Sequence, residues 1–131
     1  MSLIREFASV AARMPQKLAL ITPHSQLTYR DILIMVRVLD TRLAGLGVRP
    51  GQTVAVATPR AEFTIALALL ASYRGWTVVF CGQTPQPLTE AGLAFDWLIL
   101  TEAGVDGPEG RKITLQPDWF RGGDAESLPD F

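Results

Sequence analysis

The chain has 131 residues, one cysteine, one histidine, a formal net charge of -1 and 48% hydrophobic residues. That length fits one domain with its own hydrophobic core, and the near-neutral charge argues against a nucleic-acid-binding surface built on excess Lys and Arg. A single cysteine permits no internal disulfide, and Cys81 with His24 cannot supply the ligands of a usual structural zinc site.

The N-terminus, Met1 to Glu6, lacks the long apolar stretch of a signal peptide. The most apolar run, Phe63 to Ala71, falls short of the about 20 residues that a bilayer span needs. It reads as a buried helix, and the whole inventory fits a reducing cytoplasm.

In chain order, the apolar-rich opening through Ser9 to Met14 predicts a helix that Pro15 stops. Leu18 to Ile21 and Leu27 to Tyr29 read as two strands of a hairpin around Thr22-Pro23-His24-Ser25-Gln26. Ile32, Val36, Leu39, Leu43 and Leu46 then recur at alternating intervals of four and three, which places them on one helix face. Arg30, Asp31, Arg37, Asp40 and Arg42 supply polar positions around that face, Thr28 is placed to cap its start, and Gly45 and Gly47 bracket its end.

Thr53 to Thr58 is a β-rich run without alternation, as expected of a strand covered on both faces. Ala61 to Tyr73 has helical spacing, with Phe63, Leu67 and Leu70 on one stripe and Gly75 at its end. Trp76 to Phe80 predicts a second buried strand, Leu88 to Leu93 a short helix, and Trp97 to Leu100 a third buried strand. Glu102 to Arg111 reads as a loop, Ile113 to Leu115 as a short strand, and residues 102–131 as a loop-like tail of a single unit, 1–131. Strands alternating with helices imply parallel pairing and right-handed crossovers. The expected fold is α/β, a three-layer sandwich with a mostly parallel sheet and a small N-terminal hairpin.

The most informative composite runs from Leu27 to Phe80. It contains Leu27-Thr28-Tyr29-Arg30-Asp31-Ile32, then Leu46-Gly47-Val48-Arg49-Pro50-Gly51-Gln52-Thr53-Val54-Ala55-Val56, then a helix opened by Glu62-Phe63 and closed by Gly75. In order and spacing this resembles the start of the adenylate-forming superfamily, which includes acyl-CoA synthetases, nonribosomal peptide synthetase adenylation domains and luciferases. That family typically reads Leu-Thr-Tyr-x-Glu-Leu, where Asp31 and Ile32 stand here, and then Gly-Val-x-Pro-Gly-Asp, where Gln52 replaces the Asp. Upstream, Pro15-Gln16-Lys17-Leu18-Ala19-Leu20 is similar to the family's Pro-x-Lys-x-Ala-Leu segment. After Gly75 the family's usual Pro and Asp are absent, which leaves the subfamily open.

The resemblance implies a parent enzyme that joins a fatty or aryl carboxylic acid to ATP, with Mg, and passes the acyl group to a thiol such as CoA. The matched residues themselves are structural: Gly47, Pro50 and Gly51 only turn the chain. The family's Thr-Ser-Gly-Thr-Thr-Gly-x-Pro-Lys loop, whose amides and lysine hold ATP phosphates, is not present in the sequence, and neither are its adenine- and ribose-binding motifs or its C-terminal catalytic lysine. The expectation is an N-terminal subdomain that ends before that loop, inactive alone, with no catalytic, cofactor or metal residue of its own. Its partners would be the remainder of the parent polypeptide and, through an uncovered apolar face, a second copy. The alternative is a stand-alone α/β interaction module without activity.

Other candidates carry less. Gly104, Gly107 and Gly110 are regularly spaced after a strand, but Glu102, Asp106 and Glu109 would repel phosphate and no Gly-Lys-Ser/Thr follows. His24 has no partner at motif spacing, and Cys81 has no base within its own segment. Thr58-Pro59-Arg60 is expected at the carboxyl end of a parallel strand, where open α/β sheets bind ligands, so Arg60 is a candidate for a substrate-facing position, the alternative being a solvated arginine near the start of the following helix. Trp76, Trp97 and Trp119 are expected in packing.

Overall fold

The computed structural model describes residues 3–23, 25–82, 94–101 and 112–115. Helix α1 (Leu3–Arg13) ends before Pro15, as its sequence predicts, and strands β1 (Leu18–Ile21) and β2 (Gln26–Thr28) form an antiparallel hairpin with Leu20 opposite Leu27. Thr22 closes the turn: its Oγ1 accepts from the Ser25 N–H at 2.9 Å and its own N–H donates to the Ser25 carbonyl at 2.8 Å.

Helix α2 (Tyr29–Leu46) starts with a reciprocal cap. Asp31 N–H donates to Thr28 Oγ1 at 3.1 Å, and Thr28 N–H donates to Asp31 Oδ2 at 2.9 Å. Such a capping box satisfies two otherwise orphaned amides. The helix closes on Gly47 at φ 104°, a left-handed conformation that a Cβ would strain, with Val48 N–H donating back to the Leu43 carbonyl.

Strand β3 (Thr53–Ala57) is the centre of a four-stranded parallel sheet of order β4-β3-β5-β6, with β4 at Thr77–Phe80, β5 at Trp97–Leu100 and β6 at Lys112–Thr114. Helix α3 (Ala61–Arg74) connects β3 to β4 and ends on Gly75 at φ 77°. Val54, Val56, Ile99 and Ile113 face the helices, where they pack with Ile4, Ile32, Val36, Leu67 and Leu70. Ala55, Ala57, Leu98 and Leu100 are buried on the opposite face with Val79, Cys81 and Phe95 against them. The sheet is therefore covered on both faces, as the non-alternating strand sequences imply. The short helix expected at Leu88 to Leu93, the loop at Glu102 to Arg111 and the tail beyond Leu115 lie outside the described residues.

Three positions differ from the sequence reading. Leu46 is 49% exposed, because a four-three stripe drifts about 20° per heptad around a straight helix and its last member leaves the core face. Strand β4 is at the sheet's edge, so Thr77 and Phe80 are exposed where a fully buried strand was expected. Asp40, expected on the polar side, is 4% exposed.

Asp40 is buried because α3 supplies its counter-charge. Arg74 Nε and Nη2 donate to its two carboxylate oxygens at 2.6 and 2.7 Å, and Arg37 approaches to 3.5 Å. The two-pronged bond pins the end of α3 to the middle of α2. Replacing Arg74 with Ala leaves the carboxylate short of donors, and the expected loss is about 1–3 kcal/mol, since Arg74 itself is partly solvated. Urea unfolding of Arg74→Ala, Asp40→Ala and the double variant checks this. The double variant should lose less than the sum of the two single losses.

Candidate functional site

The carboxyl ends of the parallel strands are the place to look for chemistry. The chain leaves β3 for β4 on one side and crosses back to β5 on the other, so the topological switch point lies between β3 and β5. Ligands of open α/β sheets bind at such crevices. Thr58 and Thr101 extend these two strands, and their hydroxyls are 2.8 Å apart. Thr58 is buried, and its Oγ1 also accepts from the Arg60 N–H at 3.1 Å. The pair closes the crevice at this level by satisfying itself.

Arg60 stands at the N-terminus of α3 with no side-chain cap on the helix. Its guanidinium is 60% exposed and 3.5 Å from the Glu62 carboxylate, a distance at which the pair contributes little. Together they border an open cleft of about 510 Å³ between the hairpin turn and the β3–α3 junction, lined by Leu20 to Pro23 and Pro59 to Glu62. The carboxylate of Glu62 in the first turn of α3 works against anion binding there. Sequence reasoning singled out Thr58-Pro59-Arg60 at this place. It missed the hydroxyl partner Thr101, whose only signal was a threonine directly after an apolar strand.

Cys81 follows β4. Its N–H and its thiol both reach the Val56 carbonyl, at 3.0 and 3.2 Å, and burial pushes the thiol's pKa up. A raised pKa means less thiolate at any given pH, which is opposite to what a nucleophilic cysteine requires. Among the described residues no group of three or more His, Cys, Asp or Glu side chains could hold a metal ion, and no helix is long and apolar enough to cross a membrane. His24, Trp119 and Gly104, Gly107 and Gly110 lie outside the described residues. The described residues thus bring together hydroxyls and one paired cation, without a base, a nucleophile or a phosphate cradle.

No protein-family model matches the chain, and no curated protein matches it. Solved structures do. The nonribosomal peptide synthetase FmoA3 superposes on all of this chain with a TM-score of 0.76 at 19% identity, over 15% of its own length. The NpsA N-terminal subdomain from Klebsiella oxytoca, in complex with anthranilyl-AMSN, matches 98% of this chain with a TM-score of 0.71 at 18% identity, over 34% of its length. VinN matches 80% of this chain with a TM-score of 0.67 at 20% identity, over 28% of its length. This chain has the fold of part of an adenylation-domain N-terminal subdomain. It spans about a third or less of the length of these matched chains.

Within that adenylation-type fold the junction ahead of β3 accounts for a sequence departure. Gln52 occupies the place of the family's Asp, and its Oε1 accepts from Arg49 N–H at 2.8 Å and from the Trp97 indole N–H at 2.9 Å. The longer side chain closes the turn and also reaches β5. Asp96 Oδ2 completes the strand start by accepting from Thr53 N–H at 2.8 Å.

The Cys81 environment gives a direct test. Iodoacetamide should label the folded chain more slowly than the urea-unfolded chain at pH 8, and its pH–rate inflection should lie above that of the unfolded thiol. An inflection at or below the unfolded value would contradict the desolvated setting.

Proposed function

We propose that this chain is the N-terminal part of an ATP-dependent ligase that activates a carboxylic acid as an acyl-adenylate and transfers the acyl group to a thiol. The observation that carries the proposal is the superposition on the NpsA N-terminal subdomain over 98% of the chain. The ordered Leu27–Phe80 segments that resemble the adenylate-forming family support it independently. NpsA is seen with anthranilyl-AMSN and 3-hydroxyanthranilyl-AMSN, and VinN with L-aspartate. Among the fatty and aryl acids that the sequence suggests, these neighbours favour an aryl acid for the parent. Its acceptor is CoA or a carrier-protein thiol, and the likeness to the nonribosomal peptide synthetase FmoA3 favours the carrier.

In this reading the 131 residues act as scaffold. The described residues bring no phosphate cradle to the strand ends: the Thr58 and Thr101 hydroxyls bond each other, and the Glu62 carboxylate stands beside Arg60. Phosphate binding and transfer chemistry belong to other parts of the parent polypeptide.

Two measurements test this. Titration calorimetry of Mg-ATP into the folded chain should give no binding heat, and stoichiometric micromolar binding would overturn the scaffold role. The parent polypeptide should catalyse ATP–pyrophosphate exchange that depends on an added acid, with substituted benzoates the strongest substrates. Exchange with no acid in a panel of benzoates, amino acids and fatty acids would sink the ligase reading.

A further inference from the structure

The bond between Thr58 and Thr101 uses one hydroxyl proton and leaves another. Two hydroxyls bring two donor protons, and their 2.8 Å contact shares one of them. Thr58 Oγ1 already accepts from the Arg60 N–H at 3.1 Å. Among the described residues neither hydroxyl has a further partner. The order of donors therefore decides which proton is left over. If Thr101 donated, Thr58 would accept twice, and its own proton would be stranded on a residue that is 9% exposed. A buried donor left unpaired costs more than a typical hydrogen bond contributes. If Thr58 donates, the remaining proton belongs to Thr101, which is half-buried. The second order leaves no buried proton unpaired. The chain of donors then runs from the Arg60 amide through Thr58 to Thr101, and each bond polarises the next. It starts at the N-cap of α3, the positive end of that helix, and it ends in a donor beside the crevice between β3 and β5.

We propose that Thr101 Oγ1 donates its remaining proton to an uncharged oxygen of the acyl group that the parent enzyme activates. The inference rests on the ligase reading and adds one substrate contact to a segment that is otherwise scaffold. Its place is the topological switch point, where open α/β sheets bind ligands. The surroundings select the acceptor. A phosphate group calls for several donors or a cation. Thr101 offers one neutral donor, and the Arg60 guanidinium stands 3.5 Å from the Glu62 carboxylate. A carbonyl or hydroxyl oxygen is satisfied by a single donor, and a polarised hydroxyl supplies it.

Two experiments test this contact. In the 131-residue chain, proton NMR at low temperature should show the Thr58 hydroxyl proton exchanging slowly with water and the Thr101 hydroxyl proton exchanging fast. The reverse order overturns the proposal. In the parent polypeptide, Thr101→Val should raise the KM for the acid in pyrophosphate exchange by about 5- to 30-fold, the effect of one lost hydrogen bond, while the KM for ATP stays the same. Thr101→Ser keeps the donor and should restore the acid KM. Where Thr101→Val fails to fold because it strands the Thr58 proton, Thr58→Val combined with Thr101→Val removes both partners at constant shape and should show the same rise. An acid KM that stays at the parental value in a folded variant overturns the proposal, and so does an equal rise in the KM for ATP. Either result leaves the ligase reading standing. A parent that exchanges with no acid sinks that reading and takes this contact with it.

Discussion

Every other element is placed relative to β3. It is hydrogen-bonded on both edges, to β4 and to β5, and residues Val54 to Ala57 are all buried. A strand in that position must be apolar throughout and must be entered and left at defined angles. The entry is set by Gly47, the Arg49–Gln52 turn and the Gln52 bridge to Trp97. The exit is set by Thr58, whose hydroxyl joins β5's extension at Thr101 and the amide of Arg60. Both ends of β3 are thus tied laterally to β5 by side chains, while the β4 side is held by main-chain bonds and by the Cys81 thiol on the Val56 carbonyl.

The helical layer is tied to itself by charge as well as by packing. Leucine and valine side chains of α2 and α3 supply the apolar contact, which is non-directional. The Arg74 fork on Asp40 adds direction, because two donors and two acceptors match in only one relative rotation of the helices. A buried ion pair of this kind contributes more to uniqueness of packing than to net stability, since much of its Coulomb gain offsets desolvation.

The sequence made the order and type of elements legible wherever a local rule applied. The capping box at Thr28, the stops at Gly47 and Gly75 and the doubly buried β3 all follow from neighbours along the chain. What it concealed depends on partners distant in sequence. Asp40 looks solvent-facing until Arg74 is brought beside it, 34 residues on. Strand β4 looks interior by composition, because Val, Val and Phe suit a core and an edge alike, and only strand order separates the two. The Thr58–Thr101 pair joins residues 43 apart and has no motif.

The polar groups described at the strand ends are turned mostly toward one another. A parallel sheet can present ligands only at the carboxyl ends of its strands, through the loops that follow them. Here those positions are occupied by groups that satisfy one another: a hydroxyl pair, a weak Arg60–Glu62 pair and a thiol turned back onto a main-chain carbonyl. The hydroxyl pair and the thiol contact engage polar groups within the fold, whereas the Arg60 guanidinium stays exposed at the border of the cleft. Contacts of this kind between neighbouring strand ends add rigidity to the sheet.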